Sequence, residues 1–285
     1  LGAEINDLDK VEYGVRPTIR RNLLTYLLLQ LSLEVTRTTT RNREEDPRNL
    51  EGERLFEPWR TTFTVSPQAT YDRRDSPINP KSDYVADLKL DYTQGVRDSP
   101  IRFIRLTGTW SQYFSFPRSY PKSRRLVWAY GLQAGRVWPL AGTEEIPVDE
   151  RFRLGGVGSL RGFADNAVGP LDANFQPLGG ELLLVGHTEM RFPIFGDILG
   201  FYFLDMGLLV DCLEEQPITE LTDPARVDRC FQDIEVNDDL RLSSGIGLRY
   251  LVLSQIPIGV DYGMVLNRKV GEEFGQLHIN IGFTF

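Results

Sequence analysis

The chain has 285 residues, of which 41% are hydrophobic and 25% charged, and its formal net charge is −8. This acidic balance argues against a nucleic-acid partner, because phosphate binding needs a concentrated basic face. No run approaches the roughly 18 apolar residues of a membrane-spanning helix. The sequence opens at Leu1 without a signal peptide, as we expect of a mature or trimmed product.

Apolar and polar residues alternate with period two along most of the chain. From Asp83 to Tyr92 the even positions are apolar or aromatic and the odd ones mostly polar, and the pattern returns from Ile104 and from Leu126. Such alternation places the two sets on opposite faces of a β-strand. We predict about eleven strands. The other eight are Lys10–Pro17, Thr25–Arg37, Trp59–Asp72, Glu181–Phe192, Leu199–Val210, Leu240–Tyr250, Ile256–Leu266 and Leu277–Phe285.

A soluble β-sandwich would also alternate, so strand length and loop pattern decide the fold class. Most predicted strands have ten or more residues, as a bilayer core demands, and aromatic residues lie towards their ends. Short turns alternate with long loops, of which residues 140–177 and 211–239 are the longest. We therefore predict an all-β, antiparallel transmembrane β-barrel domain over residues 1–285, in contact with membrane lipid.

Cys212 and Cys230, the two cysteines, lie in the long polar loop 211–239. The two histidines, His187 and His278, are far from them in sequence, so a metal site is not indicated. We predict a disulfide between Cys212 and Cys230, which implies an oxidising compartment.

One glycine-dense segment lies in the loop 140–177 and carries one arginine near its end. Its characteristic residues are Gly155, Gly156, Leu160, Arg161, Gly162 and Phe163. Residues 160–163 resemble the arginine-glycine-aromatic loop motif of the BamA-type outer-membrane assembly factors and their TamA and mitochondrial Sam relatives. Further stretches resemble that family in the same order along the chain: residues 71–80, 179–180 with 189–193, 203–207 and 245–250.

The resemblance implies that this loop folds back into the barrel lumen. It also implies that Arg161 pairs with acidic residues on the two following strands, which are Glu189 and Asp205 here. The strand phase places both carboxylates on the polar, inward face, independently of the resemblance. A guanidinium that forks onto carboxylates in a confined lumen is consistent with charge-assisted hydrogen bonding.

The last predicted strand ends on an aromatic residue. Its apolar face carries Leu277, Ile279, Ile281, Phe283 and Phe285. This pattern resembles the C-terminal signal of outer-membrane barrels, and Gly282 falls where the assembly factors bend the final strand inward. Glycine weakens strand pairing, and an exposed strand edge can accept another strand. The resemblance thus implies a gate at this strand.

The family barrel has sixteen strands preceded by periplasmic domains. The predicted strands correspond to about the sixth to the sixteenth, and an odd number does not close an ordinary bacterial barrel. We therefore expect this chain to be part of a larger barrel.

The resemblance implies an insertase of the outer membrane, most naturally in a Gram-negative-type bacterium, whose partners are nascent outer-membrane proteins, periplasmic domains and accessory subunits. We expect no enzyme activity, catalytic residue, metal or cofactor. The alternatives are a TamA-like or two-partner-secretion pore, a passive porin, and an outer-membrane lipase-like enzyme. The last would need a serine–histidine pair, and neither histidine lies in such a motif.

Overall fold

The computed structural model describes residues 8–42, 59–97, 99–117, 119–121, 125–143, 145–171, 177–212, 239–252, 256–269 and 271–281. These residues form one antiparallel sheet of twelve strands, which confirms the predicted all-β class. The strands are β1 (Leu8–Val15), β2 (Thr18–Leu24), β3 (Leu27–Asn42), β4 (Arg60–Asp72), β5 (Asp83–Gly95), β6 (Arg102–Phe116), β7 (Leu126–Pro139), β8 (Leu182–Phe195), β9 (Ile198–Val210), β10 (Arg241–Val252), β11 (Ile256–Val265) and β12 (Gly275–Ile281).

Neighbouring strands in the sheet follow chain order, except at one edge where β1 and β2 both pair with β3. β1 pairs with the second half of β3 and β2 with the first half, and the Pro17 carbonyl between them accepts from the Leu33 amide at 3.0 Å. The predicted count of about eleven was therefore one short, because β2 was not foreseen. Its paired arginines and paired leucines (residues 20–21 and 23–24) interrupt the alternation that marks the other strands.

The two faces of the sheet have the reverse of a soluble protein's burial pattern. On one face, which we call the inner face, charged side chains such as Arg249 and Asp261 are buried. On the opposite, outer face, large apolar side chains such as Ile246, Leu248 and Tyr250 are more than half exposed. A sandwich would bury its apolar face, whereas a membrane barrel turns that face to lipid.

Aromatic side chains cluster on strand ends that are joined by short connections. Tyr130 contacts Trp110 and Phe114, with ring centroids 5.3 and 5.8 Å apart, and Tyr71 stacks on Tyr84 at 5.8 Å. Amphipathic rings at this level are typical of the aromatic girdle at a membrane–water interface.

The described part of the connection between β7 and β8, residues 140–143, 145–171 and 177–181, packs against the inner face, and we call it the motif loop. It contains a short 3-10 helix, Val148–Glu150. Beyond this helix the loop pairs with itself, because Phe152 and Gly180 exchange amide–carbonyl hydrogen bonds of 2.8 and 3.0 Å. One apolar cluster joins loop residues to β8, β9 and β11; its members are Leu154, Leu160, Phe163, Val168, Leu183, Val185, Leu209 and Val265.

The described sheet is open, with β1 and β2 at one edge and β12 at the other. Closure within a barrel of sixteen strands therefore stays a prediction. Within the described ranges no helix is long and apolar enough to cross a membrane. The predicted loop 211–239 lies almost wholly outside the described residues, as do Gly282, Phe283 and Phe285 of the predicted gate strand.

The assignment of faces can be tested on neighbouring residues of β3. We expect Leu31→Arg to lower the free energy of unfolding by about 2–4 kcal/mol, because it places a charge among lipid chains. Gln30→Arg, on the inner face, is the matched control and should cost less than about 1 kcal/mol. Urea unfolding in lipid vesicles, followed by tryptophan fluorescence, measures both. Equal losses would contradict the assignment.

Candidate functional site

A tight turn in the motif loop determines where Arg161 lies. Gly156 and Leu160 are hydrogen-bonded through their backbones in both directions, at 3.1 and 3.0 Å. Gly155 and Gly156 have φ values of +118° and +90°, a region that favours glycine. Ser159 Oγ accepts from the Gly155 amide at 2.9 Å. The turn buries the Leu160 side chain and delivers Arg161 to the inner face.

Arg161 is fully buried and binds two carboxylates. Its Nε and Nη2 donate to the two oxygens of Asp205 on β9, each at 2.7 Å, and its Nη1 donates to Glu189 Oε1 on β8 at 2.5 Å. Its backbone amide also faces Asp205 Oδ2, at 3.3 Å. We call these three residues the arginine lock; such forked, charge-assisted bonds are the strongest that arginine makes.

Two neighbours on β8 extend the arginine lock. Arg191 Nε donates to the second oxygen of Glu189 at 2.7 Å, and His187 Nδ1 lies 3.1 Å from Asp205 Oδ1. Two guanidinium groups thus face two carboxylates, so the charges of the arginines and acids balance. A balanced, hydrogen-bonded cluster lowers the desolvation cost of keeping these groups out of water.

Aromatic rings underlie the guanidinium group. Arg161 Cζ lies 3.7 Å from the ring centroid of Phe203, which is buried on β9. Phe201, two residues earlier, lies 4.5 Å from the guanidinium of Arg249, which in turn binds Asp261. Cation–π contact of this kind supplements ion pairing where water is excluded.

Burial alone would lower the pKa of the Arg161 guanidinium. The attraction of Glu189, together with the hydrogen bonds and charge of Asp205, outweighs burial and raises the pKa above its ordinary value. The guanidinium therefore stays charged at every physiological pH, and the arginine lock cannot be opened by deprotonation of Arg161.

Gly162 brings the loop backbone directly onto the last two strands. It has φ of +92°, and its amide donates to Nε2 of His278 on β12 at 3.1 Å. A Cβ on Gly263 of β11 would lie 2.5 Å from the Gly162 nitrogen, so the contact requires glycine at position 263. Phe163 follows, 5.2 Å from the guanidinium of Arg241 on β10. Three consecutive residues therefore contact all strands from β8 to β12.

The motif loop has a second attachment, of opposite polarity, at its 3-10 helix. Asp149 forms an ion pair with Arg60 on β4, and Arg105 Nη2 on β6 donates to Glu150 Oε2 at 2.9 Å. Glu150 also lies 3.5 Å from Arg60. We call this group the acid clamp, in which the loop supplies acids and the wall supplies arginines.

The structure brings Arg161, Glu189 and Asp205 together. It places Leu277, Ile279 and Ile281 of β12 on the exposed outer face. Cys212 is buried just after β9. Cys230 lies outside the described residues, so the pairing of the two cysteines stays a prediction.

Sequence reasoning assigned no role to Arg60, Arg105 or His278. Strand phase does place all three on the inner face, but it does not tell which loop residue meets each of them. Nowhere in the described ranges do three or more His, Cys, Asp or Glu residues form a group that could hold a metal ion.

The antiparallel sheet buries charged side chains on its inner face and exposes apolar ones on its outer face, and a long loop forms ion pairs with the inner face. These features define an outer-membrane-type β-barrel that carries an internal loop. The chain matches the Omp85 superfamily domain over residues 3–285, and it belongs to that superfamily.

The individual relatives have low sequence identity to this chain. The chain is 25% identical over 218 residues to the outer membrane protein assembly factor BamA of Neisseria meningitidis serogroup B, a match that covers 70% of this chain and 27% of that protein. The crystal structure of BamA from Haemophilus ducreyi lacking POTRA domains 1–3 is similar with a TM-score of 0.72 and 18% identity, over 96% of this chain and 54% of that one. CdiB from Acinetobacter baumannii gives a TM-score of 0.56 and 14% identity, over 96% and 42%.

The arginine lock predicts a large cost for Arg161→Ala. We expect this change to lower the free energy of unfolding by about 3–5 kcal/mol, because it leaves the buried carboxylate of Asp205 without its guanidinium and leaves Glu189 with Arg191 alone. Arg74→Ala is the matched control: Arg74 also forks onto a carboxylate, Asp72, but on a more exposed turn, and it should cost at most about 1 kcal/mol. Urea unfolding in vesicles measures both; similar losses would contradict the lock.

The contact between Gly162 and Gly263 predicts that Gly263→Ala displaces the motif loop. Amide hydrogen exchange of residues 155–165, read by mass spectrometry, should become faster because the added methyl meets backbone. Gly108→Ala is the control, since its Cβ would meet nothing closer than 3.7 Å. Unchanged protection in Gly263→Ala would show that the loop does not depend on this contact.

Proposed function

We propose that this chain is the C-terminal barrel part of an outer-membrane protein assembly factor of a Gram-negative-type bacterium. In this proposal it inserts nascent β-barrel proteins into the membrane at the edge of its terminal strand. The chain spans about a quarter of the curated relative and about half of each similar structure. The activity therefore belongs to a longer protein, in which periplasmic domains and accessory subunits deliver clients.

The observation that carries the proposal is the arginine lock. It commits a fully buried arginine and two fully buried carboxylates to holding a loop inside the protein. A passive porin needs an interior open to water, whereas here apolar loop side chains cover the inner face of β8, β9 and β11. This arrangement supports a function in which β8–β12 act as one rigid panel.

In this proposal the terminal strand supplies the edge. Within the described residues β12 pairs only with β11. Its outer-face residues Leu277, Ile279 and Ile281 are strongly exposed. A strand edge with free backbone groups can template another strand by β-augmentation, and this step needs no covalent chemistry.

A TamA-like or two-partner-secretion pore is the second candidate. Such a pore would pass an extended chain through the barrel interior, so the motif loop would have to leave the inner face. Release of the loop should then increase activity, whereas insertion at a rigid edge should lose activity. The response to Arg161→Ala therefore separates the two candidates.

The test uses the full-length protein in proteoliposomes, supplied with a urea-unfolded outer-membrane barrel as client. Folding of the client is followed by its heat-dependent shift in gel mobility. We expect the protein to accelerate folding over empty liposomes, and Arg161→Ala to slow the accelerated rate about tenfold or more, since 1.4 kcal/mol corresponds to a tenfold change. Gly108→Ala, away from the lock, should retain the wild-type rate.

Planar-bilayer conductance on the same preparations tests the passive channel. A steady open pore that is unaffected by Arg161→Ala, together with no acceleration of client folding, would overturn the proposal in favour of a porin. Faster passage of an unfolded chain in Arg161→Ala would favour the translocation pore.

A further inference from the structure

His278 lies on the terminal strand and meets the motif loop. It faces inward from β12, opposite Asp261 of β11, and it is buried. Its Nε2 accepts the hydrogen bond of the Gly162 amide at 3.1 Å. In the proposed function, clients are inserted at the free edge of β12, and this inward side chain has no role in that step.

Two successive backbone amides of the motif loop contact side chains on two strands that are not adjacent in the sheet. The Arg161 amide faces Asp205 on β9, and the Gly162 amide donates to His278 on β12. β10 and β11 lie between these two strands in the sheet. A movement of β12 away from β9 must therefore break one of the two contacts or pull the loop with it.

We propose that His278 is a positioning residue that couples the terminal strand to the motif loop, and that it does so only as the neutral imidazole. Its importance for insertion rests on the proposed function, but the coupling itself does not. The geometry assigns the hydrogen to Nδ1, because Nε2 must present a lone pair to the Gly162 amide.

Protonation of His278 would turn its attractive contact with the Gly162 amide into a repulsive one. An imidazolium has N–H donors at both nitrogens, so Nε2 would point a proton at the Gly162 N–H instead of accepting from it. The Gly162 nitrogen lies against the backbone of Gly263, and a buried N–H without an acceptor is costly. The loop tip should then move away from β12.

Burial opposes the protonation of His278, and four charged groups act on it as well. Asp165 of the loop, Asp261 of β11 and Asp205 of β9 attract an imidazolium, whereas Arg161 repels it. Once protonated, His278 can exchange the Gly162 amide for a nearby carboxylate. Asp261 is the neighbour across the β11–β12 pair, so the imidazolium would remain on its own side of the sheet.

The test measures hydrogen exchange of the peptide containing Gly162 in the full-length protein in liposomes, corrected for intrinsic exchange. The two conditions are about pH 8 and about pH 5, the latter more than one unit below an ordinary histidine pKa because burial opposes protonation. In the wild type we expect protection to fall about tenfold at the lower pH, the loss of roughly 1.4 kcal/mol of local stability. His278→Gln keeps an acceptor that does not titrate and should be protected equally at both pH values. His278→Leu should be poorly protected at both.

His187→Gln identifies which histidine is responsible. It removes the other histidine of the chain, whose Nδ1 contacts Asp205. The fall in protection at the lower pH should therefore persist, whatever the protection at the higher pH. Loss of the step in His187→Gln, or wild-type protection at both pH values in His278→Leu, would overturn the proposal.

Client insertion by the same variants separates this inference from the proposed function. If the wild type inserts clients, the rate should fall at the lower pH in step with protection, and His278→Gln should remove this fall. If the wild type inserts none but the exchange pattern holds, the coupling stands and the insertase role fails. If the wild type inserts clients efficiently but the exchange pattern is absent, the insertase role stands and the coupling fails.

Discussion

The fully buried guanidinium of Arg161 is the group on which the rest of the structure depends. A lone buried charge is among the most expensive features a protein can contain, so Glu189 and Asp205 are required wherever Arg161 is present. Together they bind a loop to two adjacent strands at once. The apolar cluster around Leu154 and Leu160 excludes water, and this exclusion in turn strengthens the ion pairs.

The lock also organises strands that Arg161 does not touch with its side chain. Gly162 and Phe163 extend the contact across β10, β11 and β12, because each residue of this short motif lies over a different strand. Hydrogen bonds between neighbouring strands hold a sheet locally, but they allow it to twist and shear over several strands. A loop that crosses five strands resists such deformation, and the panel from β8 to β12 is stiffer than pairing alone would make it.

Strand phase explains how much of this site could be read from the sequence. Period two assigns each side chain to a face, so the inward positions of Glu189 and Asp205 follow from alternation in β8 and β9, and the family resemblance supplied the link to Arg161. The contact of His278 with Gly162 could not be read in this way, because it depends on the path that the turn at Gly155 and Gly156 gives to the loop. β2 escaped prediction for a different reason: its doubled arginines and leucines obscure the alternation, and its place at the edge of β3 comes from register and not from composition.

The opposite polarity of the two loop attachments has a consequence for how the loop can be seated. The acid clamp places Asp149 and Glu150 against Arg60 and Arg105, and the arginine lock places Arg161 against acids. A loop inserted the wrong way round would bring acid to acid and arginine to arginine at both ends. The charges therefore favour one orientation of the loop. A loop that enters the interior late in folding is attracted in this orientation and repelled in the reverse one.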